Sequence, residues 1–269
     1  MLIQFVHNHA AIIHCLLNTE GFIASLISGF ALGIDAPHYS LLCKRQKTLN
    51  IPLPKSSQKN EPIHVVCNST GLQVFGEGEG EGEGEWNVRQ HGYIKKRLWR
   101  KLHLAINSKT HLIEASELTS LGTQDCQGFD ALMNQIDNPI LTATGDGAYD
   151  RFSCYETMEK KGGIGIFPSQ RNAATSTEKS GNKRKASPNA VAKRDKTVLQ
   201  VRALGRTGWK EQVGYHKRSL AEAGMFRIKT LVGSRLSSHL FENQQVEVKI
   251  WCRIINKMPM LGMPETIPI

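Results

Sequence analysis

Three features are missing from this 269-residue chain, and each absence removes a class of protein. Its six cysteines, Cys15, Cys43, Cys67, Cys126, Cys154 and Cys252, include no C-x-x-C pair. Neither a zinc knuckle nor a disulfide framework is expected, and a reducing cytosol follows. Long apolar runs are missing too: the longest apolar-leaning stretch, residues 22–34, is too short to span a bilayer. No basic n-region precedes an apolar stretch at the N-terminus, so the chain is expected to carry no signal peptide and no membrane segment. An aromatic-rich segment of the RNP type is also lacking, which weakens an RNA-binding reading.

What is present is an ordinary globular composition with a basic bias. Hydrophobic residues make up 40% and charged residues 22%, enough apolar material for one large domain or two smaller ones. The formal charge of +10 points to a nucleic-acid partner, although charge by itself also fits an anionic membrane surface. Basic residues cluster in residues 95–101 and 171–217.

Periodicity predicts strands over residues 63–74, 100–107 and 111–118, with residues 107–110 as a hairpin turn. A helix over 124–136, a strand over 140–145, a helix over 152–161 and a strand over 162–167 follow. This order supports a mixed α/β domain. Residues 2–32 carry apolar positions compatible with two short helices, and the proline-bearing stretch 51–62 reads as a linker. Two tracts interrupt the pattern. Residues 76–85 are five Gly-Glu pairs, read as a mobile loop rather than a calcium site. Residues 169–196 are rich in Lys, Arg, Ser and Asn, read either as disordered without a partner or as a phosphate-contacting insertion.

The most informative stretch lies near the C-terminal end. If residues 215–229 are helical, Tyr215, Arg218, Glu222 and Lys229 fall at steps of three, four and seven and share one face. A carboxylate among a phenol, a guanidinium and an ammonium suits a metal ligand set among groups that hold phosphate oxygens. A solvated helix face with i,i+4 ion pairs is the alternative. Upstream, Asp146 lies at the end of the fourth predicted strand, either facing an open site or acting as a turn aspartate in Asp-Gly.

The segment from Tyr215 to Lys229 resembles the Y(2)R(3)E(6)K signature of DDE transposases of bacterial insertion sequences. The similarity is greatest to the insertion-sequence-five group and extends over YSLLCKRQKTLNIPL, HVVCNSTGL, VRQHGYIKKRLWRKLHL, TGDGAYD and NKMPMLGMPE. It implies a ribonuclease H-like mixed sheet flanked by helices over residues 63–260. Residues 1–50 would be a short helical DNA-binding region, shorter than family members usually carry. It also implies Mg²⁺- or Mn²⁺-dependent cleavage and transfer of double-stranded DNA at transposon ends and target. A homodimer in a synaptic complex and a cytoplasmic, nucleoid-associated location belong to the same expectation.

Carried over residue by residue, the catalytic and metal-holding positions are Asn68, Asp146 and Glu222, and the DNA-contacting ones Tyr215, Arg218 and Lys229. The first of these differs from the family, which has aspartate there. Asparagine offers a carbonyl oxygen but no negative charge, so impaired catalysis is expected. The rival expectation is a non-catalytic remnant that occupies element ends.

Overall fold

The computed structural model describes residues 16–53, 60–74, 99–178 and 186–261. The Gly-Glu tract lies outside them. Helices α1 (Leu16–Gly29) and α2 (Tyr39–Gln46) come first. The main body is β1 (Ile63–Val74), β2 (Trp99–Asn107), β3 (Ile113–Ser120), α3 (Asp125–Asn134), β4 (Ile140–Thr144), α4 (Phe152–Lys160) and β5 (Ile164–Ile166). Then follow α5 (Pro188–Gln212), a 3₁₀ turn (Tyr215–Arg218), α6 (Ser219–Leu231), β6 (Arg235–Leu236) and α7 (Phe241–Lys257).

The strands run in the order β3-β2-β1-β4-β5, with β6 pairing the far end of β1. β1, β2 and β3 are antiparallel neighbours, whereas β4 and β5 are parallel to β1. This mixed sheet with helices on both faces is a ribonuclease H-like fold.

β1 shows why the sequence folds this way. Its odd positions Ile63, Val65 and Cys67 pack with Phe129, Leu132 and Met133 of α3 and Cys154 and Met158 of α4. Its even positions Val66, Leu72 and Val74 pack with Ala221, Met225 and Ile228 of α6 and Val248, Trp251 and Cys252 of α7. A strand covered on both faces is apolar almost throughout. Between the two buried ends, residues 68–71, Asn-Ser-Thr-Gly, are only partly covered. The helices leave the sheet open there.

α6 approaches the sheet closely because Gly224 has no side chain; a Cβ there would lie 2.1 Å from Cδ1 of Ile106 on β2. The expected strand 111–118 begins two residues later, at Ile113. His111 takes a left-handed backbone (φ 59°), and Asn107 Oδ1 accepts from the amides of Lys109 and Thr110 to close the hairpin.

Of the tract 169–196, read as disordered without a partner or as a phosphate-contacting insertion, residues 169–178 and 186–196 are described: Ser169 and Thr175 are buried, and the last residues form the opening turns of α5. Ser187 caps that helix and is held by Glu156 and Glu159 of α4. Arg194 reaches back to the buried Asp150 at 2.9 Å. Composition does not reveal this because the anchoring carboxylates lie far off in the sequence, Asp150 just before α4 and Glu156 and Glu159 on it. Of the two helices expected in residues 2–32, one is α1; residues 1–15 lie outside the described part. Among the described residues, no helix is long and apolar enough to cross a membrane.

Candidate active site

The open stretch of β1 meets the C-terminal end of β4. The parallel register pairs Val66 with Thr144, so two residues further along each chain stand Asn68 and Asp146. Neighbouring strands lie about 4.8 Å apart, and residues two steps on keep the same face. That face is the one packed by α6, since Asn68 pairs with Leu104, a member of the α6-side cluster. Glu222 sits in the first turn of α6. The 3₁₀ turn Tyr215–Arg218 packs against both β1 and β4. Three elements distant in sequence thus carry Asn68, Asp146 and Glu222 to the region where the open middle of β1, the C-terminal end of β4 and the start of α6 meet.

Asp146 has extended backbone (φ −81°, ψ −174°), and its Oδ1 accepts from the Ala148 amide at 2.8 Å, capping a short 3₁₀ turn. The turn-aspartate role anticipated for an Asp-Gly pair is therefore real. It leaves Oδ2 free to face Arg218, whose Nη2 is 3.7 Å away. The other terminal nitrogen of Arg218 donates to Glu222 Oε1 at 2.6 Å. One guanidinium thus spans both carboxylates, tightly to Glu222 and loosely to Asp146. Its Nε is buried with no hydrogen-bond partner among the described residues. Asn68 turns its carbonyl oxygen to the Ser69 amide at 2.9 Å.

The expected single helical face is corrected by the structure. Gly214, in a left-handed conformation (φ 65°), opens a 3₁₀ turn that carries Tyr215 and Arg218, and the α-helix starts only at Ser219. Within α6, Glu222 and Lys229 remain on one face two turns apart, both exposed. Tyr215 turns inward, 9% exposed, with its ring 6.0 Å from that of Trp209 and Lys210 Nζ 5.3 Å above it. Burial pushes its hydroxyl up to about 12, opposed by Arg218 and Arg206 and assisted by Asp146 and Glu222. A phenol so placed stays protonated and can donate a hydrogen bond at neutral pH. Arg206 lies within the basic cluster 171–217, where nothing in the sequence singles it out. It reaches this neighbourhood through the bend at Gly205, which no periodic pattern reveals.

The donor set is chemically hard: two carboxylates and an amide oxygen. Oxygen ligands of this kind suit Mg²⁺ or Mn²⁺. Their two negative charges match one divalent cation and fall short of a pair. Among the described residues no group of three or more His, Cys, Asp and Glu side chains converges to hold a metal.

Fold and site together define a ribonuclease H-like protein with an acidic pair gathered at the mouth of its central parallel strands. Residues 59–257 match the family described as "Transposase DDE domain", and the chain belongs to that family. Residues 1–77 match a second family of the same description. Membership makes this a transposase, with DNA as its substrate, from a family that generally uses divalent metal ions.

Proposed function

We propose that this chain is an insertion-sequence transposase of the insertion-sequence-five group, acting on element ends through residues 63–260, with strand cleavage impaired by Asn68. The observation that supports this most is the register of β1 on β4, which sets Asn68 beside Asp146 on the face that α6 and Glu222 cover. Residues 1–50 serve as a DNA-binding region.

Asp146, Glu222 and the carbonyl oxygen of Asn68 would hold Mg²⁺ or Mn²⁺. A bound divalent cation supplies charge stabilisation and an activated oxygen for phosphodiester cleavage. Arg218 leaves the two carboxylates and takes a phosphate, for which its planar fork and unpartnered Nε are suited. Tyr215, kept protonated, donates to a phosphate oxygen. Lys229 provides an exposed point charge further along the strand. With Asn68 instead of a carboxylate, the site keeps too little negative charge for a pair of cations and one fewer fixed ligand.

The test is Asn68→Asp in the full chain, assayed for Mg²⁺-dependent cleavage of a labelled element end at fixed salt. A carboxylate worth about 4 kcal/mol raises the rate roughly a thousandfold. DNA affinity should change little, and Asp146→Asn or Glu222→Gln in the repaired background should abolish the gain. Wild type cleaving as fast as the repaired protein would show that Asn68 is not a damaged ligand. Repaired protein that binds element ends but stays inert favours the other reading, a non-catalytic remnant that occupies those ends.

A further inference from the structure

Beyond the acidic pair, a cavity of about 460 Å³ opens between the segment that follows β5 and the second half of α5. Gln170, Arg171, Val198, Val201, Arg202 and Arg206 are among the residues that line it. The three arginines are not equivalent. Arg202 is committed, donating to both carboxylate oxygens of Glu178 at 2.6 and 2.8 Å and to the Ala173 carbonyl at 2.8 Å. Arg171 and Arg206 have no ion-pair partner among the described residues and are exposed. Two free guanidinium groups at one cavity with no carboxylate of their own call for an anion.

The cavity adjoins the candidate active site. The chain leaving β5 passes the Asp146 turn, with the Pro168 carbonyl 3.4 Å from where a Cβ of Gly147 would stand, and Gln170 and Arg171 follow directly. On the other side, α5 carries Trp209 three residues after Arg206, and the ring of Trp209 lies 6.0 Å from that of Tyr215. The volume exceeds what a phosphate alone needs, and the half-buried Val201 offers an apolar contact for a deoxyribose.

We propose that this cavity is a second phosphodiester-binding site, in which Arg171 and Arg206 hold DNA-backbone phosphate next to the one presented to Asp146 and Glu222. The proposal rests on the transposase reading above and adds the strand's path: from Lys229 past Arg218 and Tyr215 and on between β5 and α5. Arg202 is a positioning residue. By clasping Glu178 and Ala173 it fixes the 173–178 segment against α5 and keeps that carboxylate away from the ligand.

The experiment compares wild type, Arg171→Gln/Arg206→Gln and a control, Lys109→Gln, in the full chain. Affinity for element-end duplex is measured between about 50 and 200 mM salt, and thermal unfolding is followed in parallel. Each lost phosphate contact reduces the slope of log affinity on log salt by about 0.9, so the double variant should lose up to about 1.8 with unfolding unchanged. A scan of duplexes with single methylphosphonates should show one or two adjacent positions that weaken wild type but no longer penalise the double variant. Normal binding with an unchanged slope and methylphosphonate profile would overturn this site alone. An equal loss in Lys109→Gln would overturn it too, by showing a general charge effect. Wild type lacking any salt-dependent DNA binding would bring down the transposase reading and this one together. Tight capture of a free nucleoside triphosphate at the cavity, with DNA binding unaffected by the double variant, would reassign it to a small-molecule phosphate.

Discussion

Arg218 decides the charge balance of the candidate site. With Glu222 at 2.6 Å and Asp146 at 3.7 Å, its guanidinium already neutralises part of what a divalent cation would bind. The two side chains it bridges are 57% and 38% exposed, so solvent screens the interaction and its worth is about 0.5–1 kcal/mol. Arg218→Gln should therefore tighten Mn²⁺ binding to the DNA-free protein by about two- to fivefold while weakening DNA binding. Calorimetric titration of the metal checks the first effect and anisotropy the second. Weaker or unchanged Mn²⁺ binding would mean that the guanidinium does not compete with the cation. Asn68 tells the complementary story, since no ligand geometry compensates for a charge that the side chain does not possess.

At the level of the element, α5 matters more than its polar composition foretold. The helical run from Pro188 to Gln212 is broken at Gly205, whose backbone (φ 70°, ψ 165°) is one that glycine alone adopts readily. The bend turns Trp209, 1% exposed, under Tyr215, and Arg206 directly follows Gly205 at the lining of the neighbouring cavity. A Cβ at Gly205 would touch nothing within 4 Å, so any cost of Gly205→Ala is backbone strain, about 1–3 kcal/mol. Gly208→Ala, where φ is not positive and the nearest contact is an ordinary 3.5 Å to Leu204, should be neutral or stabilising by about 0.5–1 kcal/mol. Chemical denaturation distinguishes the two. Similar behaviour of both variants would show that the bend is not held by Gly205.

For the whole molecule, buried ionisable groups set the pH range of stability. His103 on β2 is 1% exposed, faces Asp125 of α3 and Lys101, and donates to or accepts from Thr119 at 2.9 Å. Burial, against the pull of Asp125, lowers it from 6.5 to about 4. The unfolded chain then binds a proton that the native protein refuses, so stability is full above 6.5 and falls as pH drops toward 4, by about 3 kcal/mol in all. At the alkaline end, burial raises Cys67, Cys154, Cys252, Tyr149 and Tyr155, so the fold keeps protons that the unfolded chain gives up and stability declines as pH rises above about 9. Denaturant unfolding across this range should show a plateau between the two limits. His103→Gln should flatten its acid side by about one proton; an unchanged acid slope would place that proton elsewhere.

The sequence by itself determined the local elements. A continuous apolar run at Val65, Val66 and Cys67 and apolar alternation at Leu102, Leu104 and Ile106 already dictate strands, because side-chain period and burial are properties of contiguous residues. The motif around Asp146 and the spacing of Glu222 and Lys229 were likewise legible. Only the tertiary structure decided that Tyr215 lies inward on a 3₁₀ turn, that Arg218 spans both acids, and that the polar tract ends in a capped helix anchored by Glu156, Glu159 and Asp150. It also decided that Arg171 and Arg206 share a cavity. These outcomes depend on strand register and on contacts between residues far apart in the chain, and such contacts leave no periodic trace in either segment alone.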